Sequence, residues 1–185
     1  YTFADSREDA IRLLRLYGEA GRYDAMVAEF RSLIAREPSE ITWPRSLSEH
    51  LLEQGRRDEA TLVWKEFIDR NREVNALLEA GRTMERFGFD ALALAAADKC
   101  LELHPDRGID VSWYRFEHHL KRGNSAVAER LLREIAERLP PTDPGRIAVA
   151  DAYERIKNPK EAVLIWEGLD TREGGLGVDE SMRLA

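Results

Sequence analysis

The sequence predicts an all-α chain of about five helix–turn–helix units stacked into an open superhelix, and three observations predict it. Gly21, Gly55, Gly88 and Gly123 stand 34, 33 and 35 residues apart, each closing one apolar-periodic segment and opening the next. In three units the distance from that glycine to the proline that ends the following segment is 17 residues: Gly21 to Pro38, Gly88 to Pro105 and Gly123 to Pro140. The strings Glu59-Ala60-x-x-x-Trp64 and Glu161-Ala162-x-x-x-Trp166 recur with Ala60 and Ala162 102 residues apart, three periods of 34. A helical pair of this size cannot bury its own apolar face, so neighbouring pairs must cover one another and leave an inner groove.

In the first unit a helix over 5–19 carries Leu13, Leu14 and Tyr17, and one over 22–36 carries Phe30 and Leu33 before Pro38. The second unit opens at Trp43-Pro44 with a helix over 44–54; after Gly55 a helix over 57–70 places Ala60, Trp64 and Phe67 on one face. Helices over 73–87, with Ala80, Gly81 and Met84, and 89–103, with Cys100 and Leu103, form the third. The fourth spans 109–122 and 124–138, the latter with Leu132 and Ile135; the fifth spans 145–156, with Val149, Ala150 and Tyr153, and 159–169, with Ala162, Trp166 and Leu169. The expected core is Tyr17, Phe30, Leu33, Trp64, Phe67, Met84, Leu101, Leu132, Ile135, Tyr153, Trp166 and Leu169, large apolar residues at helical spacing. The period runs through the middle of the chain, which favours one repeat domain over 1–170, in approximate units 5–38, 42–72, 74–105, 109–140 and 144–170. Residues 171–185, with Gly174-Gly175-Leu176-Gly177, read as a loop and the start of a further, truncated helix.

These residues resemble the tetratricopeptide repeat, whose pattern is W-x2-L-G-x2-Y, then A-x3-F, then P. Leu13, Leu14 and Tyr17, then Ala80, Gly81 and Met84, then Val149, Ala150 and Tyr153 occupy its first-helix signature; Ala60 with Trp64 and Ala162 with Trp166 supply the second-helix step. Departures are Met26 and Leu94 where alanine is usual, Arg72 where proline is, and Phe116 and His119 in the fourth unit. The resemblance implies a right-handed α-α superhelix whose first helices line a concave face. It implies a protein-binding scaffold rather than an enzyme, working by capture of an extended or helical segment of a protein or peptide partner.

Carried onto this chain by register, that face holds three columns. One reads Arg15, Glu49, Arg82, Glu117, Asp151, whose alternating signs suit a ladder of ion pairs between repeats. The next, Glu19, Glu53, Arg86, Lys121, Arg155, runs from acidic to basic and would orient a bipolar ligand. The third, Ile11, Arg45, Leu78, Trp113, Ile147, supplies apolar anchors, chiefly Leu78 and Trp113. The resemblance also leaves open a structural spacer, an accessory repeat domain of a larger enzyme or of a bacterial envelope or polysaccharide-export protein, and an RNA-processing assembly module of the half-a-TPR kind.

Composition narrows these. A net charge of −7 argues against a nucleic-acid partner, which leaves a basic footprint. The acids and arginines pair locally, as Glu129 with Arg133 and Arg130 with Glu134 at i,i+4. No apolar run reaches the roughly 20 residues of a membrane-spanning helix, and the compartment stays open between bacterial cytoplasm and periplasm. Catalytic and metal chemistry find no pattern. His118 and His119 are adjacent and point about 100° apart on a helix, so they do not chelate together, and Gly174-Gly175-Leu176-Gly177 follows no strand and precedes no Lys-Ser/Thr as a phosphate loop would. Cys100 is a small core residue, and no cofactor is called for.

Overall fold

A computed structural model describes residues 7–170 of the 185-residue chain. Among the described residues the helices are α1 (Arg7–Glu19), α2 (Tyr23–Arg36), α3 (Thr42–Glu53), α4 (Arg57–Arg70), α5 (Val74–Arg86), α6 (Asp90–Leu103), α7 (Gly108–Lys121), α8 (Ser125–Arg138), α9 (Gly145–Arg155) and α10 (Pro159–Asp170), with a 3-10 turn at Pro105–Arg107 and no strand. The fold of the described residues is all-α, built from successive helical hairpins. Where they can be compared, helix ends lie within two residues of the sequence expectation. The largest offset is the start of α3, expected at Pro44 and found at Thr42: proline is tolerated in a first turn, where N–H groups have no intrahelical partner.

The hairpins turn on one repeated device. At Gly55 the backbone has φ of 72°, its N–H donates to the Leu52 carbonyl at 3.0 Å, and the next N–H, of Arg56, reaches back to Leu51 at 2.8 Å. This paired motif satisfies two orphan carbonyls at a helix end and needs a left-handed residue, which glycine supplies without steric cost. Gly21, Gly88 and Gly123 repeat it. In the fifth hairpin Lys157 takes the place with φ of 60°, and the same two bonds form, Lys157 to Glu154 and Asn158 to Tyr153, both 2.9 Å. The turn is therefore encoded more widely than by glycine, which is why the glycine count stops one repeat short.

The helices fall into two compact units, α1–α6 ending at Leu103 and α7–α10 beginning at His104. In unit 1, α2 packs on α1 and α3, α4 on α3 and α6, and α5 on α6. Trp43, Leu47 and Leu51, one turn apart on α3, are buried with Trp64 and Phe67 of α4 and Leu77 and Met84 of α5. In unit 2, α7 and α9 pack on α8, and α10 on α9, around Phe116, Leu132, Ile135, Val149, Tyr153, Trp166 and Leu169. Two expected core residues, Tyr17 and Leu101, are only half-buried.

Polar links cross between hairpins inside each unit. Arg57, opening α4, donates to the Gly88 carbonyl at 2.7 Å and lies 4.3 Å from the Phe89 ring centre, holding the turn that follows α5. After α4 the chain breaks without the expected proline. Buried Asn71 takes extended backbone and donates through Nδ2 to the Pro38 carbonyl at 2.9 Å, joining the first hairpin to the second. In unit 2, Asn158 donates to Glu129 Oε1 at 3.3 Å. The expected pairs within α8 form, Arg133 with Glu129 at 3.5 Å and Arg130 with Glu134 at 3.9 Å.

Candidate functional site

Unit 1 opens a cleft of about 310 Å³ between its first two hairpins. Helical spacing assembles it: Leu14, Arg15 and Gly18 come from α1, Met26 and Phe30 from α2, and Ser46, Glu49, His50 and Glu53 from α3. Leu14, Met26 and Phe30 are each under a tenth exposed and form an apolar floor, while Arg15, Glu49 and Glu53 are exposed at the rim. Gly18 holds the space open. A Cβ built there meets only Met26 Sδ, at 3.9 Å, an ordinary van der Waals contact.

The charge of this rim is unbalanced. Arg15 is turned to Glu19 of its own helix at 3.8 Å. Glu49 makes no hydrogen bond or ion pair among the described residues, and Glu53 faces His50 Nδ1 at 3.9 Å. His50 is held largely neutral near pH 7 because burial lowers its pKa, helped by nearby Arg56 and opposed by Glu53. Its ring lies 5.5 Å from that of Tyr23, and with Gln54 Nε2 donating to His50 Nε2 at 2.7 Å the ring proton sits on Nδ1. The neighbouring Arg56 does not compensate either, since its guanidinium is held by both oxygens of Glu59 at 2.6 and 2.9 Å, with Asp24 at 3.9 Å. Two carboxylates, Glu49 and Glu53, are left without a cationic partner over an apolar floor.

Ser46, His50 and Glu53 carry the residue types of a nucleophile, base and orienting acid. The geometry assigns them otherwise: His50 Nε2, the atom that would accept the serine proton, is occupied by Gln54. No group of three or more metal-ligating side chains occurs among the described residues. His118 is buried and stands edge-on to His119, ring centres 5.3 Å apart.

The sequence columns divide between the two units. In unit 1, Arg15, Glu49 and Glu53 line the cleft and Glu19 sits beside it. Arg45 is half-buried on α3 and Arg82 exposed on α5, neither lining the cleft, and Arg86 donates to Thr83 Oγ1 of its own helix at 3.2 Å. The expected step from Arg15 to Glu49 is replaced by the pair within α1. Leu78 is corrected: at 6% exposed it is core and offers no anchor.

In unit 2, Trp113 is half-buried and packs edge-on to Phe116, ring centres 5.6 Å apart, and Ile147 packs on the same core, so most of each surface is already covered. Arg155, expected as part of a basic end, instead makes two bonds to Glu117 on α7, at 2.7 and 2.9 Å, and these hold the Glu117 carboxyl below the usual range. Lys121 is exposed and Asp151 half-buried. The sequence marks Phe30 only as core and does not mark Gly18, Met26, Ser46 and His50 as lining; the one available signal is a glycine inside an otherwise helical pattern at 18.

Two other concavities are less distinctive. One between α2 and α4, about 350 Å³, has its Glu66 paired with Arg70 at 3.7 Å. The other lies along α10 beside exposed Val163 and Leu164. The Gly174-Gly175-Leu176-Gly177 loop and the further helix expected over 171–185 fall outside the described residues. Among the described residues no helix is long and apolar enough to cross a membrane.

No family model and no curated protein matches the chain. Among solved structures it is similar to MamA, with 13% identity, 98% of each chain covered and a TM-score of 0.46. A thermophilic TPR protein from Thermus thermophilus gives 20% identity, 97% of each chain and 0.46. YrrB, described as a TPR protein with an unusual peptide-binding site, gives 12% identity, 87% of this chain, 83% of its own and 0.42. The helical-repeat architecture stands on the chain's own period and its five equivalent turns.

Proposed function

We propose that the chain is a non-enzymatic protein-interaction module that captures a segment of a partner protein on the first-helix side of unit 1, in the α1–α3 cleft. The observation that carries this reading is the cleft itself: an apolar floor beneath exposed charged side chains is the arrangement by which a groove takes apolar anchors and fixes orientation with polar contacts. Unit 2 serves as support, because its corresponding charges close on each other across α7 and α9. This reading takes the acidic end of the expected bipolar groove, with Glu49 and Glu53, as the binding surface.

The test is to pan a random peptide library against the chain and map a selected peptide by backbone-amide NMR. Shifts should concentrate on α1 and α3, around Arg15, Gly18, Glu49 and Glu53. Selected peptides that map to α2 and α4, or a library that yields no specific binder, would contradict the reading.

A further inference from the structure

We propose, resting on the α1–α3 cleft as the binding surface, that its occupant is a lysine or arginine side chain carried by a basic amphipathic segment of a protein partner, with the stem on Leu14, Met26 and Phe30 and the cationic head between Glu49 and Glu53. Charge complementarity selects this occupant. Two arginines beside the rim already have a carboxylate: Arg15 has Glu19 and Arg56 has Glu59. The remaining imbalance at the rim is negative and sits above apolar surface, which matches a long cationic side chain that buries methylenes and keeps its head polar. The chain's net charge of −7 attracts such a segment from a distance and repels a phosphate backbone.

Protonation of the cleft turns on His50: the Tyr23 ring of α2 lies against it, Glu53 of α3 faces its Nδ1, Arg56 beyond the turn disfavours its cation, and Arg15 of α1 and Glu49 of α3 line the same cleft. Burial lowers the His50 pKa from its ordinary 6.5, and its Nδ1 stands 3.9 Å from Glu53. Its protonation places a cation beside Glu53 and competes with the partner's, so binding weakens as pH falls through the His50 titration.

The experiment measures affinity by fluorescence anisotropy for two labelled peptides, one alternating leucine with arginine and one alternating leucine with glutamate. Three proteins are compared: the natural chain, Glu49→Gln/Glu53→Gln and Gly18→Leu. The arginine peptide should bind at least about ten-fold tighter than the glutamate peptide, and the double variant should remove about that factor. Gly18→Leu, which fills the cleft while adding a helix-favouring residue, should abolish the preference without unfolding the chain. The inference is overturned, with the interaction-module reading intact, if the glutamate peptide binds as tightly and Gly18→Leu abolishes it. It is equally overturned if arginine-peptide binding survives Gly18→Leu and merely fades with salt, the mark of unspecific attraction to an acidic protein, or if neither peptide binds.

Discussion

Glu49 in unit 1 and Glu117 in unit 2 occupy the same column of the repeat, yet one is left open and the other is closed. Glu117 is gripped by Arg155 from the next hairpin, and the guanidinium also lies 5.8 Å from the Phe116 ring centre. Glu49 has no ion pair among the described residues; Arg15 of the same cleft turns along its own helix to Glu19. Identical register therefore supports opposite uses. A surface carboxylate with a cross-hairpin arginine becomes a staple, and one without it remains available to a partner.

The largest perturbation separating the units should come from their tryptophans. Trp64 is fully buried in unit 1 and Trp166 nearly so in unit 2, where its Nε1 donates to Glu154 at 3.2 Å. Trp64→Ala should destabilise by about 3–5 kcal/mol, and Trp166→Ala by a comparable amount. Hydrogen exchange resolved by amide should show Trp64→Ala raising exchange most in α3–α6 and Trp166→Ala in α7–α10; equal loss throughout the chain would show the two units unfolding as one.

The turns give the next largest effect. Gly123→Ala should cost about 1 kcal/mol, because its φ of 72° penalises a Cβ. Lys157→Gly should stabilise by up to about 1 kcal/mol by relieving the same conformation. Chemical denaturation checks both, and a Lys157→Gly protein less stable than the parent would mean that the lysine side chain contributes more than its backbone costs.

Much of the fold was legible because its signals are local. Glycine spacing, the apolar steps and the two Glu-Ala-x-x-x-Trp strings placed the described helix ends within two residues. The cleft was less legible because it depends on which of several nearby partners a long side chain selects. Register placed Arg15, Glu49 and Glu53 on one side, but no spacing rule says that Arg15 turns to Glu19 or that Arg155 crosses to Glu117. Leu78 shows the same limit: a column assigned to the groove carried a residue that packing drew into the core.

Smaller effects follow from pH. His50 and His119 both have pKa values lowered chiefly by burial, from an ordinary value of 6.5. Their contribution to stability is complete above that value and is lost as pH falls through it toward the depressed folded values, because the unfolded chain binds the proton first. Glu117 acts lower: its depressed pKa contributes stability above its ordinary 4.5, lost as pH falls through the folded value. His50→Gln should flatten the upper window in unit 1 alone, read by hydrogen exchange across pH. An unchanged profile would mean that His50 is not the titrating group.

The most direct test pairs Glu49→Gln with Glu117→Gln and measures both melting and affinity for the leucine–arginine peptide. Glu49→Gln should leave melting unchanged and weaken binding several-fold. Glu117→Gln should lower stability by about 0.5 kcal/mol, the modest value of a partly exposed pair, and leave binding unchanged. The reverse pattern, or equal effects of the two substitutions on binding, would contradict the assignment of the open carboxylate to recognition and the closed one to support.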